Sequence, residues 1–314
     1  MSRCDLSIVI ISWNVRELLR RCLDSIQESL KGEKGSKGLL IETIVFDNGS
    51  ADGSAHMVRE DFPGVHLMES EVNLGFTKGN NLAIGQSEGR YILLLNPDTE
   101  VVGDALGAMV AYMEVHPRVG ALGPQLLNPD GTAQSSRRRF PTLATAFLES
   151  TVLQPWFQES RVLRRYYLLD RPDDEIQPVD WVVGAALLIR REALHQVGPL
   201  DEEFFMYSEE LDWCYRLKTQ GWEVVYLPTA QVVHQEGRSS EQVLPTRHIH
   251  FQRSKILFFK KYYGWRGEVL RWFILSTYFY LLVLEGLKWL VGHKRPLRRE
   301  RVAAYWQLLR SGLK

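Results

Sequence analysis

Only three of the 314 residues are cysteine, and Cys4, Cys22 and Cys214 are scattered without any CxxC spacing. That scarcity excludes a disulfide framework and a cysteine zinc site, and it makes a reducing cytoplasm the expected setting. A secretory signal is also missing: a short polar stretch leads straight into an apolar run, without the charged, apolar and small-residue sections of such a leader. The body of the chain is therefore expected in the cytoplasm. No uninterrupted apolar stretch reaches the ~20 residues of a membrane-crossing helix. The nearest, Trp272 to Leu284, gets there only if Glu285 and Lys288 are admitted. Net charge is absent too, 38 Lys and Arg standing against 38 Asp and Glu, and no nucleic-acid partner is expected.

What is present is an average globular composition, 45% hydrophobic and 24% charged, distributed unevenly. Residues Arg247 to Lys314 hold fifteen Lys and Arg against three acids, a surplus of twelve positive charges that the first 246 residues balance. A basic tail on an acidic body suits an anionic surface, a bilayer or a polyanion. The aromatic run Trp272 to Leu284, flanked by Lys260, Lys261, Arg266 and the cluster Lys294 to Arg301, reads as an interfacial or re-entrant helix.

Periodicity organises the first half. A β-branched run, Leu6 to Ser12, precedes an amphipathic helix, Val15 to Leu30; a second buried strand, Leu40 to Phe46, ends in Asp47-Asn48-Gly49-Ser50. Helices near Ala51 to Glu60 and Lys78 to Ser87 alternate with strands Val65 to Met68 and Tyr91 to Leu95, and a helix Asp104 to His116 precedes a strand near Gly120 to Leu127. This alternation predicts an α/β fold with a mostly parallel sheet and helices on both faces, binding ligands where the strands end. Thr142 to Asp170 has no clean period and reads as an insertion. Beyond it the pattern predicts one apolar strand, Val179 to Ile189, a helix Arg191 to Val197, an acidic helix opening near Ser208, and strands Glu223 to Leu227 and Gln231 to His234.

Four constellations carry chemistry. Ser12-Trp13-Asn14 and Asp47 end adjacent strands, offering hydroxyl, aromatic face, amide and carboxylate to a base and ribose. Asn73-Leu74-Gly75-Phe76-Thr77-Lys78-Gly79-Asn80-Asn81 enters a helix whose first N–H groups could meet phosphate oxygens. Asn96-Pro97-Asp98 follows a buried strand, where one carboxylate and a diphosphate can share Mg²⁺ or Mn²⁺. Gly198 to Asp212 interleaves acids with aromatic side chains, so that a carboxylate among Glu209, Glu210 and Asp212 has apolar neighbours that raise its pKa, as a general base requires. Asp212 and Arg216 are also spaced to pair with each other. His234, at a strand end, can complete the metal or diphosphate site with Asp98.

These pieces, in this order, resemble glycosyltransferase family 2, particularly its rhamnosyltransferase-like branch: Ser7 to Asn14, Asp47-Asn48-Gly49-Ser50 with Asp52-Gly53-Ser54, Asn73 to Phe76 with Gly79-Asn80-Asn81, Leu95 to Asp98, Gly198 to Asp212, and His234 with Gly237 and Ser239. The resemblance implies a GT-A nucleotide-diphospho-sugar transferase fold over residues 1–246, with a nucleotide half to about residue 100 and an acceptor half beyond it. A helical, membrane-associating extension, 247–314, would follow. It implies inverting transfer from dTDP-rhamnose or a UDP-sugar to a saccharide hydroxyl, a lipid-linked saccharide among the candidate acceptors, in polysaccharide or glycolipid synthesis. A divalent metal, Mg²⁺ or Mn²⁺, and attachment to the inner face of the cytoplasmic membrane belong to the same picture. Carried over by residue, Asp47 reads the nucleobase, Ser12, Trp13, Asn14, Asn73, Gly75, Lys78, Asn81 and Asn96 line the donor, and Asp98 with His234 holds the metal. Glu210 is the base, and Arg139 or its neighbours Arg137 and Arg138 add positive charge at the diphosphate. The sequence departs from the family pattern twice: Asn96-Pro97-Asp98 has one carboxylate, and Glu209-Glu210 stands where Glu-Asp is common. Two other readings compete. A nucleotidyltransferase would carry a glycine-rich basic loop after the first strand, where this chain has Ser12-Trp13-Asn14-Val15-Arg16. A non-catalytic sugar-nucleotide sensor would leave the acidic cluster without a task.

Overall fold

The computed structural model describes residues 4–31, 38–150, 157, 160–235, 244–292 and 295–314. Gly237, Ser239 and Lys294 therefore lie outside the described residues. The chain divides into two compact units, one of Met1–Phe140, Tyr167–Phe205 and Glu209–Ser239, the other of Pro141–Tyr166, Met206–Ser208 and Ser240–Lys314.

The first unit carries strands β1 (Leu6–Ser12), β2 (Ile41–Asp47), β3 (His66–Glu69), β4 (Tyr91–Leu95), β5 (Thr99–Val102), β6 (Val119–Leu127), β7 (Ala133–Gln134), β8 (Arg137–Arg138), β9 (Gln177–Val179), β10 (Trp181–Val182), β11 (Ala186–Arg190) and β12 (Glu223–His234). In chain order the helices are α1 (Arg16–Lys31), α2 (Ser54–Asp61), α3 (Phe76–Gln86) and α4 (Ala105–Val115), then α5 (Leu143–Glu149) and α6 (Arg161–Tyr166) in the second unit. α7 (Arg191–Val197) and α8 (Glu209–Thr219) return to the first, and α9 (Leu244–Tyr263), α10 (Trp265–Leu290) and α11 (Arg295–Ser311) complete the second.

The main sheet runs β3-β2-β1-β4-β11-β6-β12-β5, with β7 added to β6 and β9 to β12. β3, β2, β1 and β4 are mutually parallel, and all seven residues of β1 and all five of β4 are buried. Strands covered on both faces need no polar alternation, which is why LSIVIIS and YILLL read as near-continuous apolar runs. α1 packs onto the sheet through Leu19, Cys22, Leu23 and Ile26, spaced at three and four residues.

The parallel half was legible in the sequence; the other half is mixed. β11 runs antiparallel to both β4 and β6, and β12 lies parallel to β6 but antiparallel to β5. These directions bring the carboxyl ends of β1, β2, β4 and β12, and the starts of β5 and β11, to one edge of the sheet. His234 pairs with Thr99 there, and Ala186 with Leu95.

Three expectations are corrected. Val179 to Ile189 is not one strand but β9, β10 and β11, broken at Val183-Gly184-Ala185 because β10 leaves the main sheet to pair with β8. Glu223 to His234 is one strand, whose register against β6 shifts between Glu223 and Val224 and again between Leu227 and Gln231. Thr99–Val102, which has no predicted element, is an edge strand whose partner is far away in sequence.

In the second unit α10 has two faces. Gly267, Leu270, Ile274, Leu275 and Glu285 are buried, while Trp265, Trp272 and Phe279, seven residues apart, are 73%, 63% and 61% exposed. Glu285 does not interrupt the apolar face as the sequence suggested. It turns inward to Arg298 of α11, with Lys288 at 3.5 Å and Arg301 at 3.8 Å.

Candidate functional site

The sheet edge collects most of the residues singled out by sequence. Ser12 and Asp47 are partners in the β1–β2 register and both are buried. Asp47 accepts the Ser50 N–H through Oδ1 at 2.8 Å, which leaves its Oδ2 and the Ser12 Oγ as buried oxygens that no protein group satisfies. Native proteins rarely leave such atoms unpaired. Side by side, an acceptor and a hydroxyl suit the N–H and carbonyl edge of a pyrimidine. Trp13 is half-buried beside them. Asn14, at φ 54°, is a hinge for the neighbouring turn: its N–H donates to Ser50 Oγ, and its Oδ1 accepts from Ala51 N–H.

The glycine-rich segment departs from its expected role. α3 begins at Phe76 with Gly75 at φ 89°, but its first N–H donates to the carbonyl of Phe205 at 3.0 Å. A Cβ on Gly75 would lie 2.6 Å from the Phe205 ring. The close approach that this glycine permits is therefore to Phe205, and the first N–H of the helix is taken by the Phe205 carbonyl. Asn48 Nδ2 donates to Asn73 Oδ1 and the Gly75 carbonyl, and its Oδ1 accepts from Leu74. Asn81 spends its amide on the Leu200 backbone and on Glu202. Asn48, Asn73 and Asn81 thus fasten loops to one another, and Lys78 is exposed.

Asn96 holds the next loop: its N–H donates to Ala185, and its carbonyl accepts from Thr99 Oγ1. Its Oδ1 is buried without a partner. Two residues on, Asp98 is buried with Oδ1 3.5 Å from His234 Nε2. His234 Nδ1 in turn lies 2.7 Å from Gln134 Oε1. One carboxylate and one imidazole on adjacent strands can share a hard divalent ion, which typically keeps phosphate or water oxygens on its other positions. Among the described residues no group of three or more His, Cys, Asp or Glu is placed to hold a metal ion, so Asp98 and His234 would supply at most two protein side chains to one. Cys22 lies beneath this loop, and burial pushes its thiol up to about 12, keeping it inert.

The acidic helix sorts its own residues. Before α8, Tyr207 and Ser208 both adopt left-handed backbone, φ 69° and 65°, a costly conformation outside glycine. Glu209 and Glu210 follow at once. Burial pushes both carboxyls above their ordinary range, Glu209 further, with the charge of Glu210 adding to it. Glu209 is buried and Glu210 half-buried; Glu210 Oε1 faces the Gly184 N–H at 3.4 Å, and each residue has an unsatisfied Oε2. A Cβ at position 184 would lie 3.4 Å from the Glu210 side chain, in van der Waals contact with it. The break in the predicted strand thus has a purpose: Gly184 meets Glu210 while Ala185 holds Asn96.

Asp212 is corrected from its place among the base candidates. It is fully buried and bound to Arg216 at 2.8 Å, and Arg216 also grips the carbonyls of Val197 and Pro199. Its carboxylate is spent on Arg216 and anchors a turn. Arg139 is likewise engaged, with Asp170 at 3.3 Å, and Arg137 is buried against the Leu168 and Arg171 carbonyls. Arg138 is the one of the three whose charge reaches Glu210, lowering its pKa against the effect of burial. Sequence reasoning missed Gln134, which ends the two-residue β7 and carries no periodic signal.

The glycosyl transferase family 2 model matches residues 7–198. The chain is 30% identical to the N-acetylglucosaminyl-diphospho-decaprenol L-rhamnosyltransferase of Mycobacterium tuberculosis, over 90% of this chain and 94% of that protein. It is 28% identical to the rhamnosyltransferase WbbL of Escherichia coli K12, over 87% and 91%. Among solved structures, GalNAc-T7 with UDP, GalNAc and Mn²⁺ superimposes with a TM-score of 0.59 at 15% identity, covering 98% of this chain and 56% of that one. The mannosyltransferase PcManGT of Pyrobaculum calidifontis, with GDP-Man and Mn²⁺, gives 0.55 at 15% identity, covering 99% and 86%. These likenesses establish the GT-A fold.

Proposed function

The chain belongs to glycosyltransferase family 2, and from that premise we propose that it transfers L-rhamnose, with inversion, from dTDP-rhamnose to a hydroxyl of a lipid-linked saccharide. The sugar and the acceptor follow the relatives' names, a rhamnosyltransferase acting on a decaprenol-linked N-acetylglucosaminyl diphosphate among them, and the dTDP carrier follows the family resemblance. The observation that carries the chemistry is the half-buried Glu210 carboxylate, cradled by Gly184 on the same sheet edge as Ser12, Asp47 and Asp98.

Ser12, Trp13 and Asp47 take the nucleobase, with Asp47 Oδ2 accepting its N–H. Asp98 and His234 would hold Mg²⁺ or Mn²⁺, which supplies charge neutralisation for the leaving diphosphate when bound. Glu209 and Glu210 divide the work. Two adjacent carboxyls in a poorly solvated place do not both ionise, so the more buried Glu209 keeps a proton and Glu210 carries the charge. Glu210 removes the proton of the acceptor hydroxyl as its oxygen bonds to the anomeric carbon from the face opposite the diphosphate. The bond to the diphosphate breaks in the same displacement and the configuration inverts.

We assign catalysis to residues 1–246 and surface attachment to residues 247–314, at the cytoplasmic face of the membrane. α10 is long and apolar enough to cross a bilayer by length and composition. Its two faces favour lying along the surface, with Trp265, Trp272 and Phe279 toward the acyl boundary and Arg266 and Lys288 among the headgroups.

The test pairs transfer with donor binding. Glu210→Gln is expected to lose about 10²- to 10⁴-fold in turnover while binding dTDP as tightly as wild type; Asp98→Ala is expected to lose the Mn²⁺-dependent part of that binding. Full turnover by Glu210→Gln removes the base assignment, and a folded wild type that binds no nucleotide with Mn²⁺ present removes the transferase reading.

A further inference from the structure

We propose that Gln134 is a positioning residue for metal binding: it holds His234 in the tautomer that presents Nε2, rather than Nδ1, to a cation shared with Asp98. This rests on the assignment of Asp98 and His234 as metal ligands. Its ground is a chain of hydrogen bonds whose direction is fixed from one end. Asp130 stands at the turn joining β6 to β7, where a carboxylate can only accept. Thr132 Oγ1 donates to Asp130 Oδ1 at 2.6 Å, which spends its one hydroxyl hydrogen. Toward Asn128, 2.9 Å away, Thr132 can then only accept, so the Asn128 atom facing it is Nδ2. Asn128 Oδ1 therefore faces Gln134 and accepts its Nε2–H at 3.0 Å. With its amide nitrogen so placed, and 3.4 Å from the His234 carbonyl as well, Gln134 turns Oε1 to the imidazole at 2.7 Å. An amide oxygen does not donate, so the hydrogen of this contact belongs to His234 Nδ1. Nε2 is left facing Asp98 Oδ1 across 3.5 Å.

The turn itself is held by its own backbone: Asn128 N–H donates to the Thr132 carbonyl at 2.8 Å, and Gly131 N–H donates to the Asn128 carbonyl at 2.9 Å. Five residues thus relay one orientation from an exposed carboxylate to a buried ring nitrogen, and β7, two residues long, exists to deliver its last member. A ligating histidine whose other nitrogen is tied to an acceptor is both oriented and made more basic. Without Gln134 the ring is free to carry its hydrogen on Nε2, where it would oppose an ion.

The experiment measures, by calorimetry at fixed pH, how much Mn²⁺ tightens the binding of whichever of dTDP, UDP and GDP binds best. Wild type, His234→Ala, Gln134→Leu and Gln134→Glu are compared, each also without metal. Gln134→Leu is expected to lose about tenfold or more of the Mn²⁺ enhancement, and Gln134→Glu, whose carboxylate accepts from Nδ1–H with Asn128 turned to donate to it and the Thr132 hydroxyl hydrogen moved from Asp130 to Asn128 Oδ1, to stay within about threefold of wild type. Metal-free nucleotide affinity is expected to be equal in all four, a result that loss of folding would not give. A full enhancement in Gln134→Leu, alongside its loss in His234→Ala, overturns the role of Gln134. So does a loss in Gln134→Glu as large as in Gln134→Leu. An enhancement unaffected by His234→Ala, or absent from wild type, overturns the metal assignment and this role with it.

Discussion

Replacing Glu209 by Gln should stabilise the protein at neutral pH and leave transfer nearly intact, although the residue adjoins the proposed base. Burial first, and the Glu210 charge second, push the Glu209 carboxyl well above its ordinary 4.5. For an acid raised in the folded state, both states hold the proton below the unfolded value and stability is full there. Above it the unfolded chain ionises while the folded one does not, so stability falls as pH rises, until the folded carboxyl ionises in turn. The slope is about 1.4 kcal/mol for each pH unit over which Glu209 alone keeps its proton. Gln cannot ionise and fills the same space, so the variant escapes this loss. Urea unfolding of wild type and Glu209→Gln at unit steps from pH 4.5 upward checks it: the two coincide at the acid end and diverge by about that slope, equivalent to roughly 3 to 5 °C in Tm per pH unit for a domain of 150–250 residues. Transfer assays on the same samples should show Glu209→Gln within a few-fold of wild type. A stability difference that does not change with pH, or turnover as low as in Glu210→Gln, refutes the division of labour between the two glutamates.

Two further outcomes follow from packing. Changing Trp265, Trp272 and Phe279 together to Ser removes three exposed aromatic side chains from one face of α10, each worth about 1.5 to 3 kcal/mol when buried. Co-sedimentation with anionic vesicles should fall by more than about tenfold while soluble-donor binding is retained; undiminished sedimentation would mean that another surface holds the membrane. Gly75→Ala should cost about 1 to 3 kcal/mol, because the position has φ 89° and the new methyl would meet the Phe205 ring at 2.6 Å. An unchanged urea midpoint would show that Phe205 moves aside freely.

The parallel half of the fold was legible because each strand there is buried on both faces and announces itself by composition, as Leu6–Ser12 and Tyr91–Leu95 do. The mixed half was less so. β5, β8 and β10 are two to four residues long and owe their existence to partners far away in sequence, such as Val101 with Val232 or Arg138 with Trp181, and no local period encodes that. In the candidate site, the clustering of acids before α8 showed in the sequence, but their sorting did not. The Asp212–Arg216 pair was readable from its i,i+4 spacing, whereas only tertiary contacts reveal that Asn81 is committed to Leu200 and Glu202. The engagement of the Phe76 N–H was not legible, because sequence supplies the amide but not the Phe205 carbonyl that takes it.

That carbonyl has a mechanical consequence. Phe76 N–H to Phe205, Asn81 to both polar atoms of Leu200, and Asn81 to Glu202 tie α3 to the stretch from Gly198 to Phe205 at both ends of the helix's first turns. The stretch cannot swing as an independent flap, since lifting it would break each of these bonds and uncover the surface of Gly75. Whatever opening admits a sugar nucleotide must take place elsewhere, and the approach to Glu210 along this side of the sheet is already set before the donor arrives.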